Sequence, residues 1–138
     1  MKNVYHIKVR WGDTDAAAIV FYPNFYKWMD EATHELLEKA GWPLSTLQKD
    51  ENIILPLLEA FCQFKAPLMH EDRINIESEV TEAAAKVFTV RHTFFKEGNI
   101  GAEGYEKRAW TSIADTAPKA VPMPDSIRTL LLEPDARE

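Results

Sequence analysis

The chain has one cysteine, five glycines and no strongly basic run in 138 residues. A lone cysteine, Cys62, excludes an internal disulfide. It fits a small core hydrophobe better than a nucleophile. The histidines, His6, His34, His70 and His92, form neither an HxxxH nor an HExxH pair, so no metal site is expected. There is no Gly-rich phosphate loop and no G-x-S-x-G elbow. No apolar run is long enough to span a bilayer. The opening residues, Met1-Lys2-Asn3-Val4-Tyr5-His6, lack the apolar stretch of a signal peptide. These absences predict a cytoplasmic protein without a membrane partner. A net charge of −6 argues against a nucleic-acid partner. A phosphorylated small ligand stays open, because it needs only a few local cations.

What is present suffices for one packed domain, 1–138, since 46% of the residues are hydrophobic, with four Trp and seven Phe. The most telling stretch is 10–32. An acidic turn, Gly12-Asp13-Thr14-Asp15, precedes a helix start at Tyr22-Pro23. Proline is favoured at the first helical position, where its missing N–H costs nothing. Phe25, Trp28, Met29, Ala32, Leu36 and Ala40 then fall at the three-and-four spacing of one helical face. Gly41 and Pro43 end the run. The spacing predicts a core helix over 23–40, about 27 Å long at 1.5 Å per residue. A carboxylate beside a helix N-terminus is useful chemistry. One supplies a nucleophile or base, the other N–H groups and a positive dipole end that hold a carbonyl oxygen.

Before the helix, 5–9 reads as a strand. After it, β-like runs fall at 53–64, where Pro56 suggests an edge, a bulge or a strand entry, and at 73–81, 87–95 and 104–115. In 73–81, Ile74, Ile76, Ser78 and Val80 share one face. Lys96-Glu97-Gly98-Asn99 reads as a hairpin turn. Asp125-Ser126 is expected to cap a last short helix to Leu132, with a frayed tail over 133–138. The class is α+β, an antiparallel sheet wrapped on one long central helix. A sheet covered on one side leaves a face or edge for an oligomer.

Gly12-Asp13-Thr14-Asp15, followed by Ile19-Val20-Phe21-Tyr22-Pro23-Asn24-Phe25 and Trp28, resembles the signature of hotdog-fold acyl-CoA thioesterases of the 4-hydroxybenzoyl-CoA thioesterase type. The resemblance continues more weakly through Gly41, Pro56, the strand that starts at Arg73, and Phe88 with Arg91-His92, to about Asp115. It implies a hotdog fold, a homodimer or homotetramer with sites at the subunit interface, and hydrolysis of an acyl-CoA to free acid and CoA. It implies no cofactor. The family's catalytic aspartate falls on Asp15, and its carbonyl-polarising backbone N–H on Tyr22. Asp13 is assigned a turn-forming role, because a short Asx side chain in a tight turn bonds local N–H groups. Whether Asp15 is nucleophile or general base stays open.

Leu55, Pro56 and Leu57 lie near the family's acyl pocket, and all three are apolar. Such a pocket takes an aromatic hydroxybenzoyl-type ring or an aliphatic chain, since a methylene or hydroxyl is worth only about 1–3 kcal/mol there. Two departures stand out. Ala18 replaces a usual glycine, and Ala83-Ala84-Ala85 replaces most of a basic run. Lys86 and Arg91 remain as candidate contacts for CoA phosphates, against a plain reading as a solvated strand edge and a surface pair. An acyl-carrier-protein thioesterase, an aliphatic acyl-CoA thioesterase and a non-catalytic acyl-CoA-binding domain are the alternatives. An acidic carrier protein would call for a basic patch, which the charge balance disfavours.

Overall fold

Pro23 opens a long helix, as its residue type favours. In the computed structural model, which describes residues 1–134, helix α1 spans Pro23–Lys39 with Ala40 as its C-cap. It buries Phe25, Trp28, Met29, Ala32, Thr33, Leu36 and Leu37. Gly41, at φ +89°, then turns left-handed. Its N–H reaches the Glu38 carbonyl at 2.9 Å, and Trp42 N–H reaches Leu37 at 2.9 Å. Those two bonds make a Schellman stop.

Among the described residues, eight strands accompany the helix: β1 (Lys2–Lys8), β2 (Ile53–Ile54), β3 (Leu57–Phe64), β4 (Arg73–Ala83), β5 (Val87–Lys96), β6 (Asn99–Ala109), β7 (Thr111–Ser112) and β8 (Lys119–Ala120). Helices α2 (Leu44–Glu51) and α3 (Asp125–Leu132) complete the described residues. The main sheet runs β1-β4-β5-β6-β3, antiparallel throughout, and a minor one runs β2-β7-β8. This is the expected α+β architecture. No helix among the described residues is long and apolar enough to cross a membrane.

Four local expectations change. The run 53–64 is two strands in different sheets, and Pro56 marks a strand entry, one of the roles expected of it: β3 starts at Leu57 and is an edge strand. Helix α2 was not anticipated, because it buries only Leu47 and offers little periodicity. β6 starts at Asn99, five residues before the expected 104, and the β-pattern to 115 is broken after Ala109. Pro124, not Asp125-Ser126, is the α3 N-cap, with no side-chain cap bond. The tail expectation falls mostly on residues outside those described. The β5–β6 turn is as expected: Glu97 and Gly98 both have positive φ, as a two-residue type I′ hairpin requires.

The core is divided. One apolar cluster holds Phe25, Trp28, Met29, Ile74, Ile76 and Phe94; the other holds Leu36, Leu37, Val80, Phe88, Val90 and Trp110. Buried polar side chains lie between the two along the chain: Thr33 on α1, Ser78 on β4, His92 on β5 and Glu106 on β6.

Candidate active site

The acidic turn is built from short-range bonds. A 3-10 turn, Trp11–Asp13, carries it. Asp13 Oδ2 accepts the Arg10 N–H at 2.8 Å, and Thr14 Oγ1 donates to the Trp11 carbonyl at 2.7 Å. The Asp13 carboxylate thus serves the local backbone.

Residues 13–15 then pair with residues 19–21. Phe21 N–H donates to the Asp13 carbonyl at 2.8 Å and Asp15 N–H to the Ile19 carbonyl at 2.9 Å, with Thr14 opposite Val20. The connecting loop closes on Asp15. Ala18 N–H donates to its carbonyl at 2.9 Å, and Ala17 N–H to its Oδ1 at 2.8 Å. This small ladder fixes Asp15 against the segment that enters α1. The Asp15 side chain is exposed.

Asp15 and Tyr22 line one open pocket of about 440 Å³, with Ile19, Phe25, Phe64 and Leu68. Among the described residues, no hydrogen bond takes up the Tyr22 N–H. Pro23 has no N–H to offer, so Tyr22 holds the free donor at the positive end of the helix. The Tyr22 ring is 60% exposed and meets the rings of Phe21 and Phe64 edge-on, at centroid distances of 5.6 and 6.4 Å. Asp15 and Tyr22 therefore line one mostly apolar pocket.

Ala18 keeps the left-handed backbone that a glycine would adopt, at φ +65°. A Cβ there is strained, by about 1–2 kcal/mol. Glycine relieves that strain and adds unfolded-state entropy in opposition. Ala18→Gly is expected to stabilise the fold by about 0.5–1 kcal/mol in denaturant unfolding. A less stable variant would show that the alanine methyl makes a compensating contact.

The other candidate residues lie elsewhere in the chain. Leu55 is buried in the core, while Pro56 and Leu57 are exposed. Register locates them: Leu57 pairs with Arg108 and Arg108 with Phe88, whereas Phe64 pairs with Ala102 and Ala102 with Phe94. Leu57 and the exposed Lys86, one residue before β5, are thus at one end of the sheet. Phe64 and the Asp15 pocket are at the other, roughly 23 Å away at 3.3 Å per residue. Arg91 is exposed on β5, opposite Glu79 and Tyr105, in a groove with Lys2, Lys39 and Glu77. Within one chain, then, Leu55, Pro56, Leu57, Lys86 and Arg91 do not meet Asp15. Cys62 is buried and burial pushes its thiol up to about 11, which suits a core residue.

Two features escaped sequence reasoning. One is the pocket wall from Phe64 to Leu68, whose only signal is a strand ending in a proline-bearing turn. The other is the buried polar belt. Its signal was available: polar residues at inward positions of β4, β5 and β6. His92 Nδ1 meets Ser78 Oγ at 2.6 Å, and its Nε2 meets Thr33 Oγ1 at 3.0 Å. Thr33 in turn donates to Glu106 at 2.5 Å. Arg108 bonds Glu106 at 3.0 and 3.2 Å, Asp30 at 2.6 Å and the Leu55 carbonyl at 2.9 Å. Burial alone would raise the Glu106 carboxyl. The His92 ring 3.7 Å away, bonds from Arg108 and Thr33, and the Arg108 charge outweigh it and hold the group at about 2.

The sequence model of the thioesterase-like superfamily matches residues 9–131. The chain belongs to that superfamily. Its members' hotdog architecture is the one described above. A gentisyl-coenzyme A thioesterase of known structure is 46% identical, with a TM-score of 0.83 over 95% of this chain and 100% of that one. A 1,4-dihydroxy-2-naphthoyl-CoA hydrolase of Microcystis aeruginosa is 30% identical over 116 residues, 84% of this chain and 83% of that protein. The fold of the 4-hydroxybenzoyl-CoA thioesterase of Pseudomonas sp. strain CBS-3 superimposes with a TM-score of 0.86 at 23% identity, covering 94% of this chain and 98% of that one.

Proposed function

We propose that this superfamily member hydrolyses an acyl-CoA thioester to free acid and CoA, with Asp15 as nucleophile or general base. The observation that carries the reading is the pocket that Asp15 and Tyr22 line together, with the Tyr22 N–H not taken up by any backbone carbonyl among the described residues. A thioester carbonyl is electrophilic and a thiolate leaves readily. One carboxylate can attack it, giving a mixed anhydride, or can take a proton from attacking water. The Tyr22 N–H stabilises the oxyanion, a donor whose loss typically costs about 10²-fold or more. Neither route calls for a metal or organic cofactor.

The acyl group is proposed to be aromatic and hydroxylated. Relatives named for gentisyl-, dihydroxynaphthoyl- and hydroxybenzoyl-CoA support this, as does the apolar wall of Phe25, Phe64 and Leu68. The test is free-thiol release from a panel of aromatic and aliphatic acyl-CoAs. A preference of ten-fold or more in kcat/KM for hydroxylated aromatic esters is expected. Aliphatic preference would redefine the substrate, and binding without turnover would move the protein to a ligand-binding role.

The working form is proposed to be a homodimer, or a homotetramer of such dimers. Strand β3 is an uncovered edge: Leu57, Leu58, Phe61 and Phe64 are 46–59% exposed, and only Cys62 is buried. Two copies joined antiparallel through β3 bring the partner's Leu57 end beside Phe64. The partner's Leu55, Pro56, Leu57 and Lys86 then approach the Asp15 pocket, which no intrachain path allows. With Lys86 at a CoA phosphate, Lys86→Ala is expected to raise KM several-fold for the CoA ester and to spare a short thioester lacking the nucleotide. Equal effects on both substrates would remove the phosphate contact.

A further inference from the structure

We propose that Asn24 is a positioning residue for the reaction, clamping the start of α1 to the acidic turn so that the Tyr22 N–H is aimed at the carbonyl attacked beside Asp15. The inference rests on the hydrolase reading above and adds a residue to it. Asn24 is the second residue of the helix, and its side chain is half-buried. Its Nδ2 donates to the Asp13 carbonyl at 2.9 Å. That carbonyl already accepts Phe21 N–H at 2.8 Å. A carbonyl oxygen can only accept, so the amide nitrogen is the required group.

The consequence is geometric. The backbone ladder between 13–15 and 19–21 ends at Phe21, one residue short of the donor. Asn24 reaches back past Tyr22 to the same oxygen. Tyr22 is thereby bracketed by two bonds to one atom of the turn that carries Asp15. Its own side chain makes no cap bond, and Pro23 cannot make one through its nitrogen. No other side chain among the described residues bonds this turn to the helix. Without Asn24, the first turn of α1 is free to tilt about Phe21. Oxyanion donors must hold within about 0.5 Å of the productive position. An error near 1 Å costs about 10²-fold.

The decisive variants are Asn24→Ala, which deletes the clamp, and Asn24→Asp, which replaces the donor by an acceptor. A carboxylate in the first turn is favoured by the helix dipole, which offsets part of what the lost bond costs, and the folded fraction of each variant is measured alongside kcat. In both, kcat is expected to fall about 10- to 100-fold, with KM within about three-fold of wild type. A spectroscopic arm reads the donor directly. The ligand is a non-hydrolysable ketone analogue of benzoyl-CoA, with a methylene between sulfur and a ¹³C-labelled carbonyl. Its infrared carbonyl band should move to lower frequency on binding wild type and return most of the way in both variants.

Wild-type kcat and an unchanged band shift in the variants would overturn the role of Asn24. So would a kcat loss that only follows the folded fraction. Failure of the underlying reading looks different. Wild type itself would then release no thiol from any acyl-CoA and would leave the carbonyl band in place.

Discussion

Asp15→Asn is expected to abolish thioester hydrolysis while leaving the fold and acyl-CoA binding intact. The side chain is exposed and touches little core, so no packing is lost. Its one structural duty is to accept the Ala17 N–H on Oδ1. Asparagine keeps a carbonyl oxygen there and holds the loop closed. What it loses is the charge and the capacity to attack or take a proton. Acid–base contributions of this kind run to about 10²–10⁴-fold, and covalent participation adds to that. Thiol release should therefore drop by at least about 10²-fold, with unfolding free energy within about 0.5 kcal/mol of wild type. A single turnover in ¹⁸O-labelled water detects the anhydride route where water opens the anhydride at its aspartyl carbonyl. Heavy oxygen appearing in the Asp15 carboxylate marks an anhydride, which a general base never forms. A variant that keeps its activity would move the chemistry to another group. A large loss of stability would recast Asp15 as a loop-building residue.

The sequence revealed those parts of the molecule that depend on short-range rules. Pro23, the apolar stripe and Gly41 bounded α1 to within one residue, because capping and periodicity are local. The inward face of β4 could be read for the same reason. That an acidic turn lies beside the helix start could be read from the chain order, but the choice of Asp15 and Tyr22 within it came only from family resemblance. Nothing in the spacing states that Phe21 bonds Asp13 and so folds the intervening loop back. The fate of Leu55, Pro56, Leu57 and Lys86 was not readable at all. Strand order puts them at the far end of the sheet from Asp15, and strand order is a long-range property. The same holds for Arg108, which looks like any surface cation in an alternating strand. It is buried because β6 is an inner strand, between β5 and the edge strand β3, and α1 reaches its inner face through Thr33 and Asp30.

That buried arginine sets the second large effect. Arg108→Met is expected to cost about 3–5 kcal/mol of stability at neutral pH, a large share of the 5–15 kcal/mol typical of a domain. Methionine fills the volume of the stem but leaves the Glu106 carboxylate 1% exposed with no cation. It also frees the Asp30 carboxylate and the Leu55 carbonyl, so α1, β6 and the segment before β3 lose a common tie. The pH dependence should change sign with it. In wild type the Glu106 carboxyl lies at about 2, below its ordinary 4.5. Its stabilisation is fully present above pH 4.5 and is lost as pH falls from there toward 2. In the variant, burial dominates and raises that carboxyl. Acidification then relieves the buried charge, so the variant should close part of its deficit between neutral pH and pH 4. His92 and Thr33 face the group and remain in both proteins, and Asp30 lies beyond Arg108, bonded to its guanidinium in the wild type. Denaturant unfolding at pH 7 and pH 4 reads both effects. The double variant Glu106→Gln with Arg108→Met removes both charges and should recover most of the loss. If the double variant is as unstable as Arg108→Met alone, the deficit comes from the broken ties to Asp30 and Leu55, and the stranded carboxylate is not its cause.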